Sequence, residues 1–543
     1  MRRLQRFRRG GAGAMAVFDL ARSDDRDFHF DADFCVVGAG LAGLTTAWRL
    51  AASGRRVVVL EGGAHRSVPL DGGFSPLVAP TLNGHALAES CRGLGGGSVN
   101  WGGRLIPLTA HDLQARPYAG IEAWPLDASD LARHTEDVES LFHLDHSSFE
   151  VNPAPLSGAV SPASDREVRC RFPKTPTFAN RNLATALVPA LVRRQNVEIW
   201  LNATVCSFSL DRESGRIGQV LAQSRTGRRL RVSARVVFIA AGTFETTRLL
   251  LHLDRLSDGR AFAGCDALGA YFQDHLRVEL GRLAIADWQA TNRLLGQRQN
   301  GGTRRSIHFE LSPEAQQEGG IASAYLDIRV VPASGSPLGA LRAVGRGRQG
   351  GATGVRRRAD LTGIADPRFL ARAVYWRLRH GQIYLPPDTF LYADLRIEQP
   401  PRRSNRLRLS ESHDPSGLPL LALEWSPGEF EERTFAAASE RFGEYWRRHG
   451  MDRICPIVGN AATNGAQPFI ARCEETHHPA GSTRMGLDPA HAVVDSYLRC
   501  HAVGNLSLAS ASTFPSSGSA NPSMTLLQLA LRAADARIAM CLP

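Results

Sequence analysis

A glycine-rich turn near the start of the chain constrains the fold more than any other feature. Residues 34–37 are predicted to form a short buried strand, and the motif Gly-Ala-Gly-Leu-Ala-Gly follows directly at residues 38–43. A helix over residues 44–52 and a second strand over residues 56–60, predicted to be fully buried, come next. This order of strand, glycine turn, helix and strand predicts a β-α-β unit and therefore a parallel sheet.

The spacing within the turn indicates that it binds a dinucleotide. Gly38 permits the tight turn, Gly40 lets a pyrophosphate approach the backbone, and Gly43 lets the helix lie close to the strand. Glu61 follows Gly43 by eighteen residues, where a carboxylate accepts hydrogen bonds from a ribose diol and would repel a 2′-phosphate. This disfavours NADP and leaves NAD and FAD open. The neighbouring residues assigned to the same site are Leu41, Ala42 and Gly62.

A second glycine-rich run, over residues 92–103, favours FAD. Glycine is costly in both helices and strands, so this run is predicted to be a loop whose backbone lies against a flat or phosphorylated ligand. Asn100 and Trp101 give the loop an amide and an aromatic wall. A flexible linker is the alternative, and the embedded tryptophan argues against it.

Residues 238–250 form a third element, in which a buried strand ends in small residues and turns into a helix. Ala241 and Gly242 at this turn would allow close approach of a nucleotide. Ordinary tight contact between a strand and a helix would give the same pattern, so this element is not specific by itself.

The C-terminal segment, residues 477–525, is the densest in chemically active side chains. A helix is predicted from Pro522 to about residue 539, with Asn521 as its N-cap. The positive end of that helix would stabilise negative charge on the N1–C2=O edge of a reduced flavin. His478 by itself would more often be structural, but within this segment we interpret it as functional.

The composition gives no signature of a metal, nucleic-acid or membrane protein. The net charge of +11 arises largely from arginines in residues 1–9 and 342–358, which we place in a tail and a loop and not on a nucleic-acid surface. No segment has the roughly 18–20 apolar residues of a membrane span, and residues 10–16 are too short for a signal-peptide core. The nine cysteines are scattered without metal-ligand spacing, so we expect reduced thiols in a cytoplasmic protein.

We predict an α/β fold, α+β overall, with a Rossmann-like FAD-binding domain built from discontinuous segments and a substrate domain containing an antiparallel sheet. Residues 334–366, rich in glycine and arginine, are predicted to form a long loop. The predicted division is a disordered or extended tail (1–30), FAD-binding segments (31–110, 191–290 and 469–543), a substrate or cap region (111–190) and a substrate-binding domain (291–468). Further strands are expected at residues 197–205, 235–240, 505–509, 392–398, 406–410 and 419–424, and a helix at 429–448.

These elements, in this order, resemble those of the glucose–methanol–choline oxidoreductase family, and most of all its pyranose 2-oxidase-like branch. The resemblance covers the cofactor segments at both ends, the turn near Ala240, and the stretch from Gly269 to His275. It implies an FAD-binding enzyme that oxidises an alcohol. The implied contacts are the ADP half with Gly38, Gly40, Gly43 and Glu61, the flavin loop with Arg92, Gly96, Ser98 and Asn100, the adenine with Val205 and Ala241, the pyrophosphate with Ala511 and Ser512, and the isoalloxazine with Pro522 and Met524.

The resemblance also implies the chemistry. His478 matches the catalytic histidine of the family, and Asn521 matches its partner position, which is histidine or asparagine among members. Neutral His478 would take the hydroxyl proton, hydride would pass to flavin N5, and Asn521 would donate a hydrogen bond to the developing alkoxide. The expected substrate is a sugar, glycoside or polyol, with oxygen or a quinone-type compound as electron acceptor. A redox-neutral, lyase-type flavoprotein and an FAD-binding protein without alcohol oxidation are the alternatives.

One position departs from the branch that the chain most resembles. Its members carry, at the position of Asn100, a histidine bonded covalently to the flavin. Asparagine cannot form that bond. The sequence therefore predicts non-covalent, dissociable FAD.

Overall fold

The computed structural model describes residues 17–70, 77, 91–150, 162–211, 213–350, 366–459 and 468–541. The strands within these ranges are β1 (Val17–Asp19), β2 (Asp27–Val37), β3 (Val57–Leu60), β4 (Val68–Pro69), β5 (Cys91–Arg92), β6 (Val168–Arg171), β7 (Lys174–Pro176), β8 (Val197–Leu201), β9 (Thr204–Asp211), β10 (Arg216–Gln223), β11 (Arg229–Ile239), β12 (Leu276–Leu283), β13 (Arg298–Asn300), β14 (Thr303–Arg305), β15 (His308–Leu311), β16 (Ala324–Val331), β17 (Phe390–Ile397), β18 (Arg406–His413), β19 (Pro419–Glu424), β20 (Ile457–Gly459), β21 (Glu474–Glu475) and β22 (Leu506–Leu508). The helices are α1 (Leu41–Ala51), α2 (Ala110–Leu113), α3 (Ala128–Ala132), α4 (Thr135–Leu141), α5 (Phe178–Arg181), α6 (Leu183–Val192), α7 (Gly242–Leu256), α8 (Trp288–Leu295), α9 (Pro313–Gly319), α10 (Pro337–Gln349), α11 (Pro367–His380), α12 (Glu429–Arg448), α13 (Phe469–Arg472) and α14 (Ser523–Met540).

The first sheet is mostly parallel and carries the glycine turn. Its strands lie in the order β1-β8-β3-β2-β11-β10-β9, and β22 pairs with the end of β11. All of its pairs are parallel except those of β10, which runs antiparallel to β9 and β11. The buried ends of β2, β3 and β11 share one core with α1 and α14, which explains why these strands are continuous apolar runs.

The second sheet is antiparallel. Its order is β20-β12-β17-β16-β15-β6, with β21 paired to β12. Helix α12 covers it: Phe435, Phe442 and Trp446 recur at helical spacing and share a core with Leu326 and Leu395 of the sheet. The predicted fold class, an α/β cofactor domain combined with an antiparallel sheet, is confirmed.

Two strands fall on the other side of the predicted domain boundaries. β12 and β21 belong to the antiparallel sheet, although we assigned their residues to the FAD-binding segments 191–290 and 469–543. The predicted strand over residues 197–205 is two strands, β8 and β9, because Asn202 adopts a left-handed conformation (φ 52°) that turns the chain between them.

The predicted N-terminal tail is wrong for residues 17–30. β1 pairs in parallel with β8, and Phe18 stacks on Trp200 with ring centroids 4.8 Å apart. Residues 27–30 already belong to β2. The contact of Phe18 with Trp200 of the distant strand β8 orders this part of the chain, and no local sequence pattern predicts it. Residues 1–16 lie outside the described residues.

The predicted loop at residues 334–366 is also wrong over α10. Ser336 caps this helix by accepting a hydrogen bond from the Gly339 N–H at 3.2 Å, and Pro337 occupies its first turn. Gly345 lies against Phe178, where a Cβ would stand 2.3 Å from the ring. Gly345, one of the glycines that suggested a loop, is therefore needed for close contact between α10 and the Phe178 ring. Residues 351–365 lie outside the described residues.

None of the described helices combines the length and the hydrophobicity required to cross a bilayer.

Candidate active site

A cavity of about 420 Å³ lies at the carboxyl ends of the parallel strands. Residues one or two positions after the ends of β2, β3, β8, β11 and β22 line it, which is the position at which open parallel sheets bind their ligands. It brings together most of the predicted site residues: Gly38, Gly40, Leu41, Ala42, Glu61, Gly62, Arg92, Gly96, Trp101, Val205, Ala241, Gly242, His478, Ala511, Asn521 and Pro522.

Five predicted residues lie outside this lining: Gly43, Ser98, Asn100, Ser512 and Met524. A Cβ on Gly43 would stand 2.0 Å from the carbonyl oxygen of Gly38, so this glycine permits close contact between helix and turn. Ser98 is buried, donates to the Gly95 carbonyl at 2.6 Å and accepts from the Leu183 N–H at 3.2 Å. These two residues support the site without lining the cavity.

The other three side chains also have partners or packing within the protein. Asn100 donates from Nδ2 to Cys91 Sγ at 3.1 Å. The Ser512 hydroxyl accepts from Thr483 at 2.6 Å, and Met524 is fully buried in the core. Side-chain direction is a tertiary property that neither the motifs nor the resemblance encodes.

Glu61 organises the dinucleotide end of the cavity. Its Oε2 accepts from the Ala39 N–H at 2.8 Å, and its Oε1 accepts from the N–H groups of Gly63 at 2.8 Å and Gly93 at 3.0 Å. The carboxylate thus ties the turn, the end of β3 and the second glycine loop together. A carboxylate has about four acceptor positions, so one position of Glu61 is left for a ribose hydroxyl.

The residues at this end fit FAD. The first turn of α1 has no side-chain cap, so its N–H groups are available to a pyrophosphate. A Cβ on Gly96 would stand 2.9 Å from the Cα of Gly40, so only glycine lets the two loops meet beside the ligand. Uncapped donors and a glycine-lined cradle are what a dinucleotide requires.

Helix α14 supplies a second uncapped N-terminus, one residue later than predicted. Its N-cap is Pro522, already in helical conformation, and no side chain caps it. Asn521 does not cap the helix, because its amide Nδ2 lies 3.1 Å from His478 Nε2. The predicted capping role is wrong, and the side chain instead forms the other half of a pair with His478.

His478 occupies the wall of the cavity with a defined set of partners. Its backbone N–H donates to Asp274 Oδ1 at 3.0 Å, and its Nδ1 lies 3.1 Å from the Thr476 hydroxyl. Removal from bulk water, followed by the neighbouring His275 and Arg396, lowers the pKa of His478 well below its usual value of 6.5. The imidazole is therefore neutral near pH 7 and can act as a base.

Sequence reasoning missed the residues that hold His478. Asp274 is fully buried, and burial raises its pKa to about 7. The stretch Gly269 to His275 stood out only through the family resemblance, with no role attached. The signal in the sequence was the dipeptide Asp274-His275. Its role becomes evident only in the structure, where the dipeptide lies beside residues 476–478.

The cavity also contains residues to which the sequence analysis assigned no individual role. Phe244, Glu245, Arg248 and Asp414 line it. Arg248 is buried on α7 and pairs with Asp414 at 2.7 Å, so the β18–β19 hairpin is joined to the cofactor domain here. On the side of the antiparallel sheet, Arg104 lines the cavity and pairs with Asp327 of β16 at 2.8 Å.

Comparisons with known proteins agree with this geometry. A family model described as GMC oxidoreductase matches residues 401–530, and one described as FAD dependent oxidoreductase matches residues 33–261. The first match contains the His478–Asn521 pair and the second contains the glycine turn.

Individual relatives match to different extents. The large subunit of fructose dehydrogenase from Gluconobacter japonicus is 34% identical over 137 residues, which are 25% of this chain and 23% of that protein. Paromamine 6'-oxidase from Streptomyces fradiae is 24% identical over 576 residues, covering 95% of this chain and 92% of that protein. The crystal structure of a formate oxidase aligns with a TM-score of 0.59 at 14% identity, over 95% of this chain and 99% of that one, which shows a common fold.

Proposed function

The chain belongs to the GMC oxidoreductase family and is an FAD-dependent oxidoreductase, and on this basis we propose that it oxidises a CH–OH group of a sugar, glycoside or polyol to a carbonyl. The observation that carries the proposal is the His478–Asn521 pair, with its two nitrogen atoms 3.1 Å apart, on the wall of the dinucleotide cavity. The substrate class is supported by the name of a relative that aligns over 95% of the chain, paromamine 6'-oxidase.

His478 and Asn521 have different roles toward the same substrate hydroxyl group. FAD, when bound, supplies the hydride acceptor. The amide Nδ2 of Asn521 can only donate, so the Nε2 of His478 that faces it carries a lone pair and takes the hydroxyl proton of the substrate. Asn521 donates a hydrogen bond to the same substrate oxygen as negative charge develops there.

The test is anaerobic mixing of the holoenzyme with a panel of sugars, glycosides and polyols, read as bleaching of the visible flavin absorbance. Bleaching by a hydroxyl compound is expected. The matched control is the same compound O-methylated at the reacting position, which has no hydroxyl proton for His478 to remove and should leave the colour unchanged. If no hydroxyl compound bleaches the flavin while a substrate still turns over, the enzyme is redox-neutral and the proposal is wrong.

FAD is proposed to be held without a covalent bond. The support is Asn100: its amide has no nucleophilic atom for the flavin and is turned toward Cys91. After acid precipitation the yellow colour should remain in the supernatant. Colour in the pellet would contradict the proposal, and its loss in Cys91→Ser would then identify Cys91, which lines the cavity, as the attachment point.

Oxygen or a quinone-type compound is proposed as the electron acceptor, and the names of the relatives include both an oxidase and a dehydrogenase. Hydrogen peroxide formed in equal amount to the carbonyl product would support oxygen. Turnover that requires an added quinone and yields no peroxide would support the other acceptor.

The reducing cytoplasm is the proposed location, because the nine cysteines are scattered along the sequence without the spacing of a disulfide framework, and six of them are buried. Fractionation of producing cells should recover the protein with cytoplasmic markers. Recovery from the medium with oxidised cysteines would contradict this location.

A further inference from the structure

Resting on the proposed function, we propose that His275 is a positioning residue that holds His478 in the one tautomer able to act as a base and fixes the segment that carries Asn521. His275 precedes β12, is fully buried and lies behind the wall of the cavity. It contacts both halves of the pair, His478 through a ring nitrogen and the Asn521 segment through Gly518.

The protonation of His275 follows from its partners. Its Nε2 lies 2.8 Å from the carbonyl oxygen of Gly518, and a carbonyl oxygen only accepts, so Nε2 carries the hydrogen. Burial lowers the pKa of His275, so the ring is neutral and has one N–H. Its Nδ1 is therefore a bare acceptor.

The tautomer of His478 follows in turn. The Nδ1 atoms of His275 and His478 are 3.2 Å apart, and since that of His275 is bare, that of His478 carries the hydrogen. The Thr476 hydroxyl is consistent with this, because it donates to Asp274 Oδ1 at 3.0 Å and so accepts from His478 Nδ1. The hydrogen of His478 points away from the cavity, and the lone pair on Nε2 points toward Asn521 and the substrate.

A neutral partner makes this arrangement different from the carboxylate that orients the histidine of a Ser-His-Asp triad. A carboxylate would stabilise the imidazolium and raise the pKa of the base, whereas His275 fixes the tautomer without adding negative charge. Tyr325 packs edge-on against His275, with ring centroids 6.0 Å apart. The other titratable or charged groups around the two histidines are Asp112, Asp274, Asp327, Arg396, Glu398 and His477.

The second contact of His275 fixes the approach to Asn521. The Gly518 carbonyl accepts from His275, while the Gly518 N–H donates to Glu398 Oε1 at 2.7 Å. The next N–H, of Ser519, donates to Asp112 Oδ1 at 3.1 Å. Gly518 has φ 63° and a Cβ there would stand 2.5 Å from Leu108, so the segment has little freedom. Of its three buried partners, His275 also holds His478 and thereby sets the spacing of the pair.

Two substitutions separate the roles of the two ring nitrogens. His275→Asn places an amide oxygen near the former Nδ1 and so keeps an acceptor for His478, while losing the donor to Gly518. His275→Gln places an amide nitrogen near the former Nε2, keeps the donor to Gly518 and loses the acceptor. If tautomer control is the role, His275→Gln lowers kcat by about 10- to 100-fold with KM within about twofold, and His275→Asn loses several-fold less.

The matched control is His308→Gln. His308 is also fully buried, also packs on Tyr325, and pairs with Glu310 at 3.3 Å instead of with His478. Its substitution should leave kcat within about twofold, because the general-base contribution of His478 is untouched. Equal losses of kcat and of thermal stability in His275→Gln and His308→Gln would reduce His275 to a structural residue and overturn the proposal.

A measurement that needs no turnover decides the question independently of any variant. In holoenzyme with ¹⁵N-labelled histidine, the resonances of His478, assigned by their loss in His478→Asn, should show a protonated Nδ1 and a bare Nε2. A proton on Nε2 in the wild type would overturn the proposal even if alcohol oxidation is confirmed. The expected pattern in an enzyme that oxidises no alcohol would leave the tautomer assignment standing while the proposed function fails.

Discussion

One end of the cavity is formed mainly by backbone groups and the other by side chains. The dinucleotide end consists mainly of backbone: glycine turns, the uncapped N–H groups at the start of α1, and three other N–H groups that Glu61 holds together. The catalytic end consists of side chains from three distant segments, His275, His478 and Asn521. Damage to the first end should therefore affect binding and folding, whereas damage to the second should affect turnover in a protein that still binds FAD.

The largest expected effect separates the two ends directly. His478→Ala removes the base, so kcat should fall by about 10²- to 10⁴-fold. FAD per protein, measured by absorbance after gel filtration, should stay at the wild-type value because the backbone end is intact. Wild-type turnover by this variant would show that His478 is not the base, and loss of its FAD would show that the two ends are not independent.

Gly38→Ala should do the reverse. Gly38 has φ 100° and a Cβ there would stand 2.6 Å from the Ala240 carbonyl oxygen, so the turn must move. We expect loss of FAD and a fall of about 2–4 kcal/mol in the free energy of unfolding in urea. The matched control is Gly54→Ala, with φ 74° and no atom within 4 Å, which should cost only about 1 kcal/mol and keep FAD. Equal effects in the two variants would mean that close contact at the turn is not what holds the cofactor.

The buried histidines of the catalytic region and its surroundings predict how stability depends on pH. His275, His308 and His478 have pKa values lowered from 6.5, so the unfolded chain takes up protons below pH 6.5 that the folded chain does not. The free energy of unfolding should fall as pH drops from 6.5 to 5, by about 1–3 kcal/mol per pH unit.

Asp274 has the opposite effect on the pH dependence of stability, so a variant at this position is a control for the histidines. Its folded pKa of about 7 exceeds the ordinary 3.8, so between these values the folded chain is the one that binds the extra proton. Asp274→Asn removes that opposing proton, and the fall in stability below pH 6.5 should become steeper. An unchanged or shallower pH dependence in urea titrations would contradict this sign.

The smallest expected effect is the change in kcat/KM on the acidic side of the pH–activity profile. Because the pKa of His478 is well below 6.5, kcat/KM should change by no more than about twofold between pH 8 and pH 6.5. An activity that already falls with an ordinary histidine pKa would show that the base is not shielded from water in the way that the cavity wall implies.

Local patterns predicted the elements whose cause is local. The glycine turn after β2 and the helix at 429–448 depend on glycine stereochemistry and on a 3.6-residue hydrophobic period. The helix at 429–448 has the predicted bounds, whereas α1 begins at Leu41, three residues earlier than predicted, so the turn ends at Gly40. The errors came from contacts between distant residues. β1 is ordered by Trp200, α10 is a helix whose glycine meets Phe178, and Asn521 turns to His478 instead of capping α14.

By itself, the glycine spacing predicted a dinucleotide site, because it is readable along the chain, and the resemblance to a known family added the FAD-dependent class and the pairing of His478 with Asn521. Only the tertiary structure decided which side chains face the cavity and which support it from behind. The protonation of His478 belongs to this second group, since it follows from hydrogen bonds to His275 and Thr476. A tautomer depends on which donors and acceptors meet in space, and His275 meets His478 across 203 residues of chain.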